Sequence, residues 1–205
     1  MASINKADIL KSVDYAKKNQ LFDKLNNIYD NLPKGECTGC GSCCMESVGI
    51  NLIEFLNIYN YLQDKDELRK KSLGRIMDYY FMEFMKKNCC PFKDENNRCE
   101  IYEVRPLNCR LFGHWKKEDY NKNLNDITEK NKQYKNIMKG KYGFDISDEV
   151  VNYKIKYCED FIPENRYLSK SERLSFADDL MVLDSRLFTK GIIDIEFRDR
   201  GIVEY

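Results

Sequence analysis

Four cysteines fall within eight residues, Cys37-Thr-Gly-Cys40-Gly-Ser-Cys43-Cys44, and five more follow at Cys89, Cys90, Cys99, Cys109 and Cys158. Whatever this chain folds into must accommodate that run, because thiols spaced three apart on a glycine-containing turn can be brought to face one centre. The start, Met1-Ala-Ser-Ile-Asn-Lys-Ala-Asp8, is polar and has no apolar stretch of signal-peptide length. Nowhere do 18 apolar residues run together, so we expect no membrane span. The expectation is a cytoplasmic chain with reduced thiols. Cysteine clusters in that compartment mean metal or catalysis rather than disulfides, and an odd total of nine weakens disulfide pairing further.

The segments around the cysteines read as helices. With only 10 Gly and 4 Pro there is little turn chemistry for a many-stranded sheet, whereas 42% hydrophobic residues over 205 positions suffice for one core. We therefore expect a mainly α fold, one domain over 1–205, with an irregular cysteine-rich centre clamped between helices. Its parts are an N-terminal helix in 1–34, a metal-binding module in 35–115 and a helical C-terminal part in 116–205. In the first part Ile9, Leu10, Val13, Ala16, Leu21, Leu25, Ile28 and Leu32 recur at helical spacing, with Ser3 as a cap. The loop from Gly35 to Ser47 has no periodicity. Asn51 and Glu54 resemble a capping box for a helix carrying Leu52, Phe55, Ile58 (or Tyr59) and Leu62.

Residues 66–87 read as another helix, with Leu73, Ile76, Met77, Tyr80, Phe81 and Phe84 on one side; we read these as core rather than as a cofactor box. Cys89-Cys90-Pro91 ends it, since the residue before proline is pushed out of the helical region. Phe92–Glu100 is turn-like, and Pro106–Phe112 is a short helix carrying Cys109. Further helices are expected over 117–139 (charged and exposed), 146–162 (including Cys158) and 170–190. The tail Gly191–Tyr205 alternates at Ile193, Ile195 and Phe197, as a strand or extended arm would.

Cys37, Cys40 and Cys43 at intervals of three match the first three ligands of a bacterial ferredoxin cluster, whose remote fourth cysteine precedes a proline, as Cys90-Pro91 does. Cys43 and Cys44 are neighbours in sequence and do not easily point at one atom, so they serve different centres or one is spare. With Cys89 set aside, Cys37, Cys40, Cys43, Cys44, Cys90, Cys99, Cys109 and Cys158 number eight. That fills two four-thiolate centres, or one centre with thiols left over. A four-cysteine zinc site normally shows two C-x2-C knuckles. Cys90-x8-Cys99-x9-Cys109 contains no second knuckle, which puts iron–sulfur ahead of zinc. The C-x3-C-x2-C spacing of radical S-adenosylmethionine enzymes is absent, as are a nucleotide fingerprint and a P-loop.

Arg105 and Arg110 flank Cys109 and are read as donors to the metal-bound sulfurs, or else as partners of Glu100 or Glu103. His114, the only histidine, is read as packed or surface rather than as a ligand, and Tyr102 as packing. Thirty-four basic residues balance 34 acidic ones. Such a chain lacks the basic footprint of a general nucleic-acid binder, and neither nucleic acid nor membrane is expected as a partner.

Taken together, Cys37-Thr-Gly-Cys-Gly-Ser-Cys-Cys44, Cys90-Pro-Phe92 and Cys99-Glu-Ile-Tyr-Glu-Val-Arg-Pro-Leu-Asn-Cys-Arg-Leu-Phe112 resemble the CxxCxxCC cysteine-cluster family, also called the YkgJ family. The likeness spans about residues 35–115. It implies zinc or iron chelation, often as an iron–sulfur protein or oxidoreductase, with Cys37, Cys40, Cys43, Cys44, Cys90, Cys99 and Cys109 as ligands. Cys158 lies outside it and enters on the count alone. The module is also similar to part of the flagellin lysine N-methylases, which are much longer. The leading expectation is thus a cysteine-cluster protein holding one or two [4Fe–4S] clusters, alternatively zinc, with a redox or electron-transfer role toward a redox partner or substrate protein. The alternatives are an iron–sulfur-dependent enzyme modifying a protein or small molecule, for instance by lysine methyl transfer, and a zinc-stabilised adaptor without catalysis.

Overall fold

The apolar stripe of the N-terminal segment does not run on as one helix. In a computed structural model, which describes residues 6–45, 48–82 and 85–192, it divides into α1 (Lys6–Lys18) and α2 (Leu21–Asp30). Gln20 sits between them in the left-handed region at φ 56°, and the Asn19 side chain folds back to donate to the Tyr15 carbonyl at 2.8 Å. The break lets Val13 and Ala16 of α1 and Leu21 and Leu25 of α2 face the same core, where a straight rod would have carried one set away. Ser3 lies outside the described residues.

The remaining helices are α3 (Leu52–Gln63), α4 (Asp66–Met82), α5 (Leu107–Leu111), α6 (Lys117–Tyr142), α7 (Asp148–Val151) and α8 (Lys170–Thr189). Helix dominates, as the sequence implies. Strand structure among the described residues is confined to a two-residue antiparallel pair, β1 (Gly35–Glu36) with β2 (Ile162–Pro163), and two isolated bridges. The main core is built from α1, α2, α3, α5 and α8, with Leu21, Leu25, Leu52, Ile53, Leu56 and Leu187 fully enclosed. Two smaller apolar clusters stand beside it. One joins Ile58 and Leu62 of α3 to Phe92 and Ile101; the other joins Phe112, Tyr120 and Phe161.

Two buried carboxylates secure the N-terminus of α3, where backbone N–H groups lack partners within the helix. Asp184 of α8 accepts from Leu52 N at 2.9 Å and Ile53 N at 2.8 Å. Glu54 accepts from Asn51 N at 3.0 Å, from Leu107 N at 2.6 Å and from the Tyr29 hydroxyl at 2.7 Å. One side chain thereby joins α2, α3 and the first residue of α5.

Several expectations are corrected. α4 ends at Met82, well short of Cys89-Cys90-Pro91. Its apolar face is not core: Leu73 is 60% exposed and Phe81 65%, with Met77 and Tyr80 also exposed, whereas Ser72 and Tyr79 are the buried positions. α4 rests on α3 along one narrow side, where Leu68 and Ile76 meet the Phe92 cluster, so a helix this far from the centre has only one edge to bury. Phe84 lies outside the described residues. Over 146–162 only the four-residue α7 forms; Cys158 is on irregular chain, because the segment turns back to pair with β1. The charged helix at 117–139 and the helix at 170–190 form as α6 and α8, the latter with a Ser169–Glu172 capping box. The alternating residues Ile193, Ile195 and Phe197 lie outside the described residues. No helix among the described residues is long and apolar enough to cross a membrane.

Candidate metal centre

Five chain segments deliver thiols to one place. The Cys37–Cys44 run leaves β1 and curls inward because Gly39 and Gly41 adopt φ of 74° and 73°, a region that side chains with a Cβ rarely enter. Ser42–Met45 then closes as a 3-10 turn, with Cys44 N donating to the Gly41 carbonyl at 3.0 Å. Cys90 is held against this turn by a 2.6 Å bond from its N–H to the Cys44 carbonyl. Cys99 lies opposite Lys93 across a tight reversal organised by Asp94, whose carboxylate accepts from Asn96 N at 2.9 Å and Arg98 N at 2.7 Å. Glu100 anchors that reversal to α4 through ion pairs with Lys71 and Arg75. Cys109 rides on α5, which Glu54 positions from α3.

Cys158 arrives on the segment between α7 and β2 and is buried. Phe161, three residues on, fixes that segment. Its ring occupies the space where a Cβ at either Gly35 or Gly113 would have to go, and it meets the His114 ring edge-on at 4.6 Å.

The result is a cavity of about 310 Å³ lined by Cys37, Cys40, Cys43, Cys44, Cys90, Cys99, Cys109 and Cys158. These are the eight cysteines singled out from the sequence, and Cys89, exposed, is not among the lining residues. Three arginines, Arg98, Arg105 and Arg110, complete the polar lining with Asn97; no Asp, Glu or His among the described residues contributes. The sulfurs surround a space rather than a point. Among the described residues no three Cys, His, Asp or Glu side chains already converge as ligands of a single ion. Cys40 Sγ lies 4.0 Å from Cys158 Sγ. His114 is 2% exposed beneath Phe161, with Nδ1 lacking a hydrogen-bond partner, and does not reach the cavity; burial lowers its pKa.

Without a cation the thiols discourage one another's ionisation. Cys44 is held far above the ordinary thiol range, by its hydrogen bond with Cys43 first and then by burial. Burial foremost pushes Cys90 up to about 12, with Cys99 and Cys43 adding repulsion; Cys158 also reaches about 12, from burial and from Cys40. Cys99 and Cys109 are raised by burial too, and the Arg105 guanidinium opposes the shift at Cys99. Arg105 stacks on Tyr102 at 3.9 Å and its Nε has no hydrogen-bond partner. Arg110 lies over the Tyr29 ring at 4.0 Å and donates to the carbonyls of Arg105 (2.9 Å) and Glu103 (2.6 Å). Glu100 is committed to α4 through Lys71 and Arg75, and both arginines are among the residues that line the cavity.

The sequence reading missed Arg98, Tyr102 and Phe161 as wall residues. Arg98 stands next to Cys99 and its charge was a usable signal. Nothing local marks Phe161, whose role depends on glycines 126 and 48 positions away.

Residues 36–136 match a family model named CxxCxxCC and described as a "putative zinc- or iron-chelating domain". The matched segment contains Cys89 and seven of the eight cavity cysteines, all but Cys158. No solved structure matches the chain.

Proposed function

Since residues 36–136 are a CxxCxxCC domain, of the zinc- or iron-chelating type, we propose that the cavity thiols hold iron–sulfur and that the protein transfers electrons. One observation carries this reading. Eight cysteines from separate segments line one cavity, and among the described residues no carboxylate or imidazole joins them in its wall. An all-thiolate donor set selects soft metals, iron–sulfur clusters and zinc above all. Four sulfurs about 2.3 Å from a zinc ion crowd around a point. Thiols spread over a cavity instead suit a ligand that has volume of its own, which favours a cluster.

A bound cluster supplies one-electron chemistry; the chain supplies its surroundings. Arg105 and Arg110, in the cavity wall, offset part of the charge that four thiolates introduce, which raises reduction potential. Phe92, Ile101, Phe112 and Phe161 restrict water on the inner side. Cys37 and Cys40 are exposed, and that edge is where a redox partner or substrate protein would approach.

The test is iron, zinc and acid-labile sulfide on protein purified without oxygen, with its visible spectrum. We expect iron and sulfide in equal amounts, about four or about eight per chain, with broad visible absorption. Stoichiometric zinc in a colourless, sulfide-free protein overturns the electron-transfer reading and leaves a metal-stabilised adaptor.

A further inference from the structure

We propose that the eight cavity cysteines divide into two four-thiolate centres, an inner one of Cys44, Cys90, Cys99 and Cys109 and an outer one of Cys37, Cys40, Cys43 and Cys158. This rests on the metal-binding reading above and adds to it the number of centres and the membership of each.

Packing separates the two sets. Cys90 and Cys99 lie against the cluster of Ile58, Phe92 and Ile101, whereas Cys43 and Cys158 lie against Phe112 and Phe161. Cys40 Sγ is 4.0 Å from Cys158 Sγ, which ties the N-terminal run to the segment after α7. Cys44 is bonded through its carbonyl to Cys90 N, which ties it to the other set. Apart from Cys43, which acts on both sets, the thiols that act electrostatically on each fall the same way: Cys90 and Cys99 on Cys109, and Cys40 and Cys37 on Cys158. Cys43 is within reach of both sets, and its place beside Phe161 and Cys158 assigns it to the outer one. Adjacent residues Cys43 and Cys44 are hydrogen-bonded through their thiols, so the division puts the boundary between the two centres at this pair. Two-cluster ferredoxins divide a cysteine run similarly, its fourth member ligating the other cluster.

Solvent divides the sets as well. The exposed thiols, Cys37 and Cys40, both belong to the outer set, whose Cys43 is half-buried and Cys158 buried; the inner set has no exposed member, Cys44 being buried and Cys90, Cys99 and Cys109 half-buried. The outer centre is the accessible one.

Iron and sulfide counted on the full chain test the division, with wild type beside Cys158→Ser, Cys99→Ser and the double variant, all purified without oxygen. Wild type should hold about eight irons, each single variant half of the wild-type content, and the double variant none. Loss of all iron in Cys158→Ser, or its full retention, overturns the division. Should Cys99→Ser fail to fold, as judged by circular dichroism, chelation of wild type decides. A membrane-excluded iron chelator should strip half of the iron in a fast phase and the rest slowly, while a single phase overturns the division. Four irons per wild-type chain also overturns it and leaves the iron–sulfur reading standing; absence of iron overturns that reading itself.

Discussion

Phe161 sits where two glycines leave room, and its ring packs in the same apolar cluster as Cys158. A methyl group at Gly113 would fall on the ring atoms themselves, and Gly35 presents the same conflict from the opposite strand. Neither position has a left-handed backbone, so the constraint is close approach alone. Gly39 is the contrasting case: its φ of 74° demands glycine, yet the nearest atom a Cβ would meet is 3.7 Å away on the flexible Arg98 side chain. Overpacking a filled site costs about 1–3 kcal/mol, and in a chain of this size each kcal/mol moves the melting temperature by roughly 2–4 °C. Gly113→Ala should therefore lower the melting temperature, whereas Gly140→Ala, where nothing lies within 4 Å, should leave it unchanged or slightly higher. Equal melting temperatures for the two variants would mean that Phe161 moves aside freely and does not anchor the Cys158 segment.

Helix α3 shows what was readable in the sequence and what was not. Asn51 and Glu54 stand three residues apart, so half of the cap is visible as a local pattern. Asp184, which accepts from Leu52 N and Ile53 N, is 132 residues from Leu52, and no local pattern reveals it. The same divide runs through the site. Short spacings mark Cys37 to Cys44, and Cys158 was included only by counting. α4 was misread because periodicity reports that a helix has an apolar face but not whether anything covers it. The break at Gln20 was hidden because apolar spacing continues through it. Removing the Asp184 carboxylate strands two buried N–H groups at the helix start. Loss of a cap costs about 0.5–2 kcal/mol and a buried unsatisfied donor about 1–3 kcal/mol. Asp184→Ala should thus cost about 2–4 kcal/mol in urea unfolding, and Asp184→Asn, which keeps one acceptor, less. Ser169→Ala, at the solvent-facing cap of α8, should cost about 1 kcal/mol. Equal losses at the two caps would contradict the assignment of Asp184 as the junction of α3 and α8.

Across the whole molecule charge sums to zero, yet the cavity collects eight thiols, five of which are held back from ionising. Burial and mutual repulsion hold Cys44, Cys90, Cys99, Cys109 and Cys158 above the ordinary thiol value of about 8.5, so at neutral pH these five are protonated in the metal-free protein. The metal binds thiolates, and each ligand must release its proton on binding. Affinity then rises with pH, by up to about tenfold per pH unit for each proton released. Stability of the metal-free protein runs the other way. A folded-state pKa raised above the unfolded one stabilises below about pH 8.5, and that contribution is lost as pH climbs from there toward 12. Zinc serves as a probe ion that needs no cluster assembly. Titrated into the reduced, metal-free protein at pH 7 in weak buffer with a proton indicator, it should release about four protons per zinc bound by four thiols. Melting temperature of the metal-free protein should fall between pH 8.5 and 10 and recover once zinc is added. Proton release near zero would mean that the thiols are already ionised in the empty cavity or that zinc binds elsewhere. Alkylation of Cys90 and Cys99 at pH 7 separates those two outcomes, since ionised thiols react quickly and protonated, half-buried ones do not.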